Sequence, residues 1–236
     1  MSAPAPICYL RGTRLRTTKT GRCVEDLKIG ERVVILSGDN KPSKPVSKPI
    51  KWIGRQRFEK RSERWPANLE PVRIRRFALD EQTPHRNLYL SPNHAIYIDG
   101  LLIPAKYLIN GTSIVQATPE GVEEIEYFHI ELETHEVIFA EGVAAETLLV
   151  MKDREAFADL IREQFDNFAE RKQLYGNDAV AMTPCAPRVC YNGRRSELKA
   201  LLRRAASPVV DVRDPIQLIH DRLAVRGAEL EHQPAG

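Results

Sequence analysis

The chain has 236 residues, room for one large domain or for one domain with an appendage, and at 42% hydrophobic and 28% charged it cannot be collagen-like, coiled-coil or wholly disordered. Its net charge of +3 hides a segregation: residues 11–76 carry 19 basic and 7 acidic side chains, residues 77–170 carry 5 and 18, and residues 171–236 carry 11 and 7. There is no run of 18 apolar residues, which excludes a helical membrane span, and four cysteines are too few and too scattered for a disulfide framework.

Met1 to Ile7 (MSAPAPI) has neither the basic nor the apolar region of a signal peptide, so it reads as a short leader, residues 1–7, with the cytoplasm as the default compartment and non-classical export left open. Residues 8–18 and 31–37 are β-leaning, with Gly12, Gly21 and Gly30 supplying turns and Val24 to Gly30 forming a loop or helical turn between them. Asp39 to Pro49 has three prolines and three lysines and reads as an extended surface loop. Strand-like runs follow at 50–58, 71–79, 87–90, 95–99, 122–133 and 136–140, and Asp99-Gly100 is a strong tight-turn dipeptide. Many short strands at close spacing predict an all-β domain over residues 8–150.

The period then changes, so residues 151–236 are expected to be a helical C-terminal extension. Phe157, Leu160, Ile161, Phe165 and Phe168 predict an amphipathic helix over 153–171, and Leu198, Leu201, Leu202 and Ala205 a second over 196–206. Asp214 as N-cap with Pro215 at the first helical position opens a third, with Ile216, Ile219 and Leu223 on its apolar face, and residues 228–236 read as a frayed tail. Opposite charge blocks either offer a basic face to nucleic acid or neutralise each other inside one fold. The basic block has few aromatics on which bases would stack, so neutralisation is expected and nucleic-acid binding is not.

Three places carry residues of chemical interest. Cys8 opens the first predicted strand, and by position alone it is a small buried hydrophobe. Ser91-Pro-Asn-His94 sets a hydroxyl and an imidazole in one tight loop between two strands, able to act on a single carbonyl or simply to form a turn. His129 and His135 would share a face if their strand ran unbroken, but zinc needs a third ligand and no cysteine pair lies nearby, so no metal and no cofactor is expected. Cys185 and Cys190 are either two idle thiols or a loop disulfide.

Taken in order, these pieces resemble the Hint domains, the self-processing modules of hedgehog proteins and inteins. The run from Cys8 through Gly12, Thr13, Leu15, Gly21, Val24, Leu27, Gly30 and Val33 is similar to their opening block, Ser91-Pro-Asn-His94 to their Thr-x-x-His block with Ser in place of Thr, and Ile125 to Gly142 to their last strand pair. Phrases such as Ile50 to Arg55, Leu90 to His94, Pro104-Ala-Lys106 and His135-Glu-Val137 resemble the bacterial Hint_2 subfamily in particular. The resemblance implies a flat, horseshoe-like all-β fold with the ends of the module close together. It also implies a reaction: Cys8 Sγ attacks the Ile7 carbonyl at the scissile Ile7–Cys8 bond, turning an amide into a thioester, with the chain's own N-terminal segment as substrate. His94 would protonate the departing Cys8 nitrogen, Ser91 would bond the Ile7 carbonyl or orient His94, and His129, where inteins carry an aspartate, could replace it as a base or be a satisfied structural histidine.

The departures from the family are as informative. Splicing inteins end in His-Asn followed by Cys, Ser or Thr, whereas the stretch after Gly142 is Val143-Ala-Ala-Glu146-Thr147, which can neither cyclise nor splice. The base that hedgehog domains use for sterol transfer would fall near Trp52 to Arg55, where there is no carboxylate. That leaves water or an external thiol or amine as acyl acceptor. The leader MSAPAPI is no passenger domain, and β-branched Ile7 crowds its own carbonyl. An inactive Hint-fold binding or scaffold module is therefore the competing reading, and the protein partner of the helical tail is unknown.

Overall fold

The computed structural model of the protein describes residues 6–37, 45–150, 165–175, 181–189 and 215–232. Its strands are β1 (Tyr9–Leu10), β2 (Arg14–Arg16), β3 (Gly21–Cys23), β4 (Arg32–Val34), β5 (Ser47–Pro49), β6 (Trp52–Glu59), β7 (Val72–Ile74), β8 (Leu88–Leu90), β9 (Ala95–Ile98), β10 (Leu101–Pro104), β11 (Ile114–Gln116), β12 (Glu124–Glu131), β13 (Val137–Ala140) and β14 (Val143–Glu146). They pair antiparallel into one six-stranded sheet of order β11-β7-β8-β1-β12-β6, a second of order β10-β9-β14-β13-β2-β3, and the two-stranded pair β4-β5. The described helices are α1 (Phe168–Tyr175) and α2 (Pro215–His232). The expected all-β fold with a C-terminal helical extension is present, and the two ends of the strand region meet where the Tyr9 hydroxyl donates to the Glu146 carbonyl at 2.9 Å.

Local chemistry explains most strand ends. The β-leaning stretch 8–18 turns at Gly12, as expected of a residue whose φ of +86° only glycine adopts freely, so β1 enters the first sheet and β2 the second. Asp99 and Gly100 both have positive φ and join β9 to β10 in a two-residue hairpin, with Ile98 facing Leu101. Glu141-Gly142 does the same between β13 and β14, at φ +48° and +89°, and the Glu141 carboxylate accepts the Arg14 backbone N–H at 2.7 Å. Val24 to Asp26 is the expected short helical turn. The proline- and lysine-rich stretch expected to be wholly loop ends in β5, because Ser47 to Pro49 lie against Val34 to Arg32.

The charge blocks neutralise each other across the β6–β12 pair. Arg57 on β6 and Arg11 after β1 both pair with Glu126, Lys51 with Glu133, Lys60 with Glu123, and Lys48 with Glu136. Beneath them lies an extended apolar core that includes Leu15, Val33, Ile74, Leu90, Ile96, Phe128, Ile130 and Ile138, and a second cluster of Cys8, Leu10, Trp52, Trp65, Ile125 and Tyr127.

The extension departs from its expected helices in three ways. Residues 165–167 are not helical, because they cover the open edge of β6: Asp166 N–H donates to the Arg55 carbonyl, Asn167 Oδ1 and Asp166 Oδ2 accept the backbone N–H groups of Arg55 and Arg57, and Phe165 turns inward onto Trp52. The helix instead begins at Phe168 and runs past Arg171 to Tyr175, while 153–164 and the helix expected at 196–206 lie outside the described residues. Helix α2 starts at Pro215 as expected, but it continues through 228–232 where a frayed tail was predicted. Leu230 is buried beside Ile219 and Leu223 in the main core, Arg75 donates to the Leu230 carbonyl at 3.3 Å, and Arg226 to the Phe77 carbonyl at 3.0 Å. Cys190 and Asp214 also fall outside the described residues.

Candidate functional site

The central strands of the first sheet bring Cys8 and Ser91 together. Tyr9 pairs with both Leu90 of β8 and Phe128 of β12, so the residues that follow Leu90 and precede Tyr9 are side by side. Ser91 N–H donates to the Cys8 carbonyl at 2.9 Å, and Cys8 N–H donates to Ser91 Oγ at 2.7 Å. The Ser91 hydroxyl then donates to the Pro6 carbonyl at 2.8 Å. Ser91 was expected to bond the Ile7 carbonyl or to orient His94 by its hydroxyl. Its hydroxyl instead brackets Ile7 from both sides, through the carbonyl before it and the amide after it, because antiparallel pairing with β8 directs that amide at Oγ.

His94 sits one tight turn further on, its N–H donating to the Ser91 carbonyl at 3.0 Å and its carbonyl accepting Ala105 N–H at 2.9 Å. Its ring packs on Tyr9, with centroids 4.3 Å apart, and stands edge-on to His129 at 5.3 Å. His129 reaches the cluster from β12, where it faces Gly54 of β6 across the ladder. The space a side chain at Gly54 would fill is taken by Phe165, which stacks on His129 at 6.4 Å with an interplanar angle of 11°. All three residues, Cys8, Ser91 and His94, have no solvent exposure, and His129 is 1% exposed.

Burial decides the protonation of this cluster. It drives the Cys8 thiol pKa far up, only partly opposed by a hydrogen bond from the Ile7 backbone, so the thiol is the resting form. It pushes His94 down to about 3, helped by the charge of Arg188 and resisted by the Ile7 backbone. His129 is likewise held well below the ordinary histidine value by burial and by the charges of His94, His135 and Arg188. Both ring nitrogens of His94, and Nδ1 of His129, have no hydrogen-bond partner of ordinary geometry among the described residues. The Ile7 backbone therefore lies near enough to both the thiol and the imidazole to influence their charge, its contact with the His94 ring falling outside ordinary hydrogen-bond geometry.

His135 does not share a face with His129, because β12 ends at Glu131 and the chain turns. Its Nδ1 accepts Cys185 N–H at 3.1 Å and its Nε2 lies 3.9 Å from Glu146 Oε2. Among the described residues no group of three or more His, Cys, Asp or Glu is placed to hold a metal ion. Burial pushes His135 down to about 4, with Arg188 adding to the effect. Cys185 is exposed, with its thiol raised to about 11 by partial burial and by the charge of Glu136.

Sequence reasoning missed three residues beside the histidines: Tyr9, Glu146 and Arg188. Glu146 Oε1 accepts Ala95 N–H at 2.8 Å, its carboxylate is ion-paired with Arg188, and burial raises its pKa against the opposing pull of that arginine. A charged residue ending the otherwise apolar run Val143-Ala-Ala-Glu146 was the available signal.

Residues 7–152 match a family model described as a Hint domain (Hint_2). The chain belongs to the Hint domain family. Its fold is thus that of self-processing modules, and the all-β architecture seen above is the Hint fold. No curated protein matches the chain. Among solved structures, this Hint domain is similar to a GSH-linked, splice-inactive variant of the AceL NrdHF class 3 split intein, at 14% identity over 62% of this chain and 100% of that one, TM-score 0.42. It is also similar to a bacterial intein-like domain from Clostridium thermocellum, at 8% identity over 61% and 99%, TM-score 0.35. A DnaB intein from Synechocystis sp. PCC 6803 aligns at 12% identity over 60% and 99%, TM-score 0.37.

Proposed function

We propose that this Hint domain processes itself at the Ile7–Cys8 bond by an N-to-S acyl shift, followed by hydrolysis or by transfer to an external thiol or amine, without splicing. The observation that carries the reading is the convergence on that bond: the Ser91 hydroxyl spans it from the Pro6 carbonyl to the Cys8 amide, and the thiol and the His94 ring lie against the Ile7 backbone. The shift is an isomerisation. A bond forms between Cys8 Sγ and the Ile7 carbonyl carbon, the Ile7–Cys8 amide breaks, and one proton moves from sulfur to nitrogen. A neutral imidazole suits that transfer, since it takes the thiol proton and returns it to the departing nitrogen with no net change. His94, held neutral by burial with both nitrogens uncommitted, is the group for the task, with His129, edge-on to its ring, as a second base. Ser91 anchors the Cys8 amide and the Pro6 carbonyl so that the intervening carbonyl stays fixed. Water attacking the thioester would release residues 1–7 as a carboxylic acid and return the Cys8 thiol.

The ending Val143-Ala-Ala-Glu146 supplies no asparagine to cyclise, and Gly54 and Phe165 occupy the region opposite His129 where a carboxylate base would stand. Both support cleavage or simple transfer over splicing or sterol transfer. The second reading, an inactive Hint-fold binding or scaffold module, is favoured by one observation: the thiol and both histidines are sealed from solvent, which opposes thiolate formation and acceptor entry. Intact mass after incubation with dithiothreitol separates the two. Loss of residues 1–7 from the wild type, absent in Cys8→Ala and slowed about 10²-fold or more in His94→Ala, supports processing; an unchanged wild-type mass under all conditions leaves the scaffold.

A further inference from the structure

Segment 181–189 lies beyond the Hint domain in sequence, yet it reaches the histidine cluster. It runs beside β10, the edge strand of the second sheet, where Leu102 N–H donates to the Pro187 carbonyl at 2.9 Å and Val189 N–H to the Leu102 carbonyl at 2.8 Å. This short parallel bridge, Leu102 to Arg188, sets the Arg188 side chain among the buried polar groups. Its guanidinium donates to both carboxylate oxygens of Glu146 and to the Asn93 carbonyl. Glu146 in turn accepts Ala95 N–H, and its own carbonyl accepts the hydroxyl of Tyr9, the ring that packs on His94. The residues on either side of His94, Asn93 and Ala95, are therefore both held by one ion pair, and the ring behind His94 hangs from the same glutamate.

We infer that Arg188 is a positioning residue for His94, acting through Glu146 and Asn93 to fix the Ser91–His94 loop against the Cys8 strand. An arginine suits the role because its planar fork offers several donors in fixed directions and can hold a carboxylate and a carbonyl together, whereas a lysine is a point charge that holds one well. Its permanent charge also disfavours a second positive charge on the nearby imidazoles, in line with the direction in which His94 and His129 are displaced. The titratable and charged groups around these rings are Cys8 just before β1, Tyr9 from β1, His94 and His129 themselves, His135, Glu146 from β14, and Arg188. The consequence for rate rests on the processing reaction proposed above; the consequence for the His94 ring does not.

The test uses the full chain with labelled histidine, following the His94 ring resonances by NMR through a pH titration, alongside the dithiothreitol cleavage assay. In Arg188→Met, His94 should protonate at higher pH than in the wild type and its resonances should move. In Arg188→Lys, which keeps the charge and so protects the fold, the midpoint should stay low while the ring resonances still shift, because Asn93 has lost its donor. Where the wild type cleaves, both variants should be slower, the lysine less so, by about tenfold for each hydrogen-bonding partner lost. His94 resonances and midpoint that coincide with the wild type in Arg188→Lys, and in Arg188→Met if that variant folds, overturn the positioning role. A wild type that never cleaves but whose His94 responds as described refutes the processing reaction and leaves this inference standing.

Discussion

Two residues apart on β12, and so on the same face of the sheet, His129 and Glu131 are buried in opposite ways. Glu131 has no exposed surface and is fully answered: Arg171 from α1 donates Nε to one carboxylate oxygen at 2.6 Å and a terminal nitrogen to the other at 2.8 Å, with its guanidinium 5.9 Å over the Trp52 ring. His129 has Nδ1 unanswered among the described residues, and its neighbour His94 has neither nitrogen answered. A buried polar group left without a partner costs about 1–3 kcal/mol, and native proteins keep few of them. The first arrangement ties the extension to the sheet. The second leaves buried ring nitrogens without such partners, a local cost of the kind that the proposed proton transfer would require.

The largest effect that would break this contrast is on the satisfied side. Arg171→Met strands the Glu131 carboxylate in the core and should cost about 3–5 kcal/mol in chemical denaturation, whereas Arg171→Met combined with Glu131→Leu should recover most of that loss. A single substitution costing under about 1 kcal/mol would mean that the pair is solvated and that the contrast with His129 is one of degree only.

On the unsatisfied side the sign reverses. His94→Phe replaces an orphaned imidazole by an aromatic ring of similar size and should raise stability near neutral pH by about 1–3 kcal/mol while abolishing cleavage. The same variant should flatten the acid limb of stability. With His94 displaced from its ordinary 6.5 to about 3, the unfolded chain binds its proton below pH 6.5 and the folded chain does not. Its contribution is thus complete above pH 6.5 and is lost as pH falls towards 3. His135, pushed down to about 4, and His129 act in the same direction, while Glu146, raised by burial, opposes them in the carboxylate range. Melting temperatures between pH 4 and 7.5 should fall with acid in the wild type and fall less in His94→Phe; identical slopes would show that His94 is already protonated or exposed.

What could be read from the sequence follows the same division. Local signals were legible: Asp99-Gly100 announces its hairpin, Gly12 a break, and Pro215 a helix start, because each is a backbone preference of the residue itself. Glu141-Gly142 builds an equal hairpin, but glutamate is no turn signal; its left-handed backbone goes with a carboxylate that reaches Arg14 N–H, a partner 127 residues away. Cys8, Ser91, His94 and His129 could be named together through the order of their motifs; the structure sets Ser91 against Cys8 and the His94 ring against that of His129. The Ser91 hydroxyl's true acceptor, Pro6, depends on strand register, which the motif does not encode. Arg188 and Phe165 were invisible for the same reason: each reaches the site only because its segment lies along an exposed sheet edge, at β10 and β6 respectively.

The smallest expected effect sharpens what the uncommitted histidines are for. Ile7 is half-buried, and as a β-branched residue it adds bulk beside the carbonyl that Cys8 Sγ would attack in the proposed reaction. If acyl shift limits the rate, Ile7→Ala should speed dithiothreitol cleavage several-fold, since less bulk opposes the tetrahedral centre, with the same dependence on pH because the proton carriers are unchanged. If the slow step is instead entry of the acceptor into the sealed site, Ile7→Ala should leave the rate with saturating thiol unaltered and lower only the thiol concentration needed. Cleavage slowed by Ile7→Ala would point the other way, to a carbonyl whose placement beside His94 depends on the packing of its own side chain, and the orphaned imidazole would then be held for a geometry that this isoleucine helps to set.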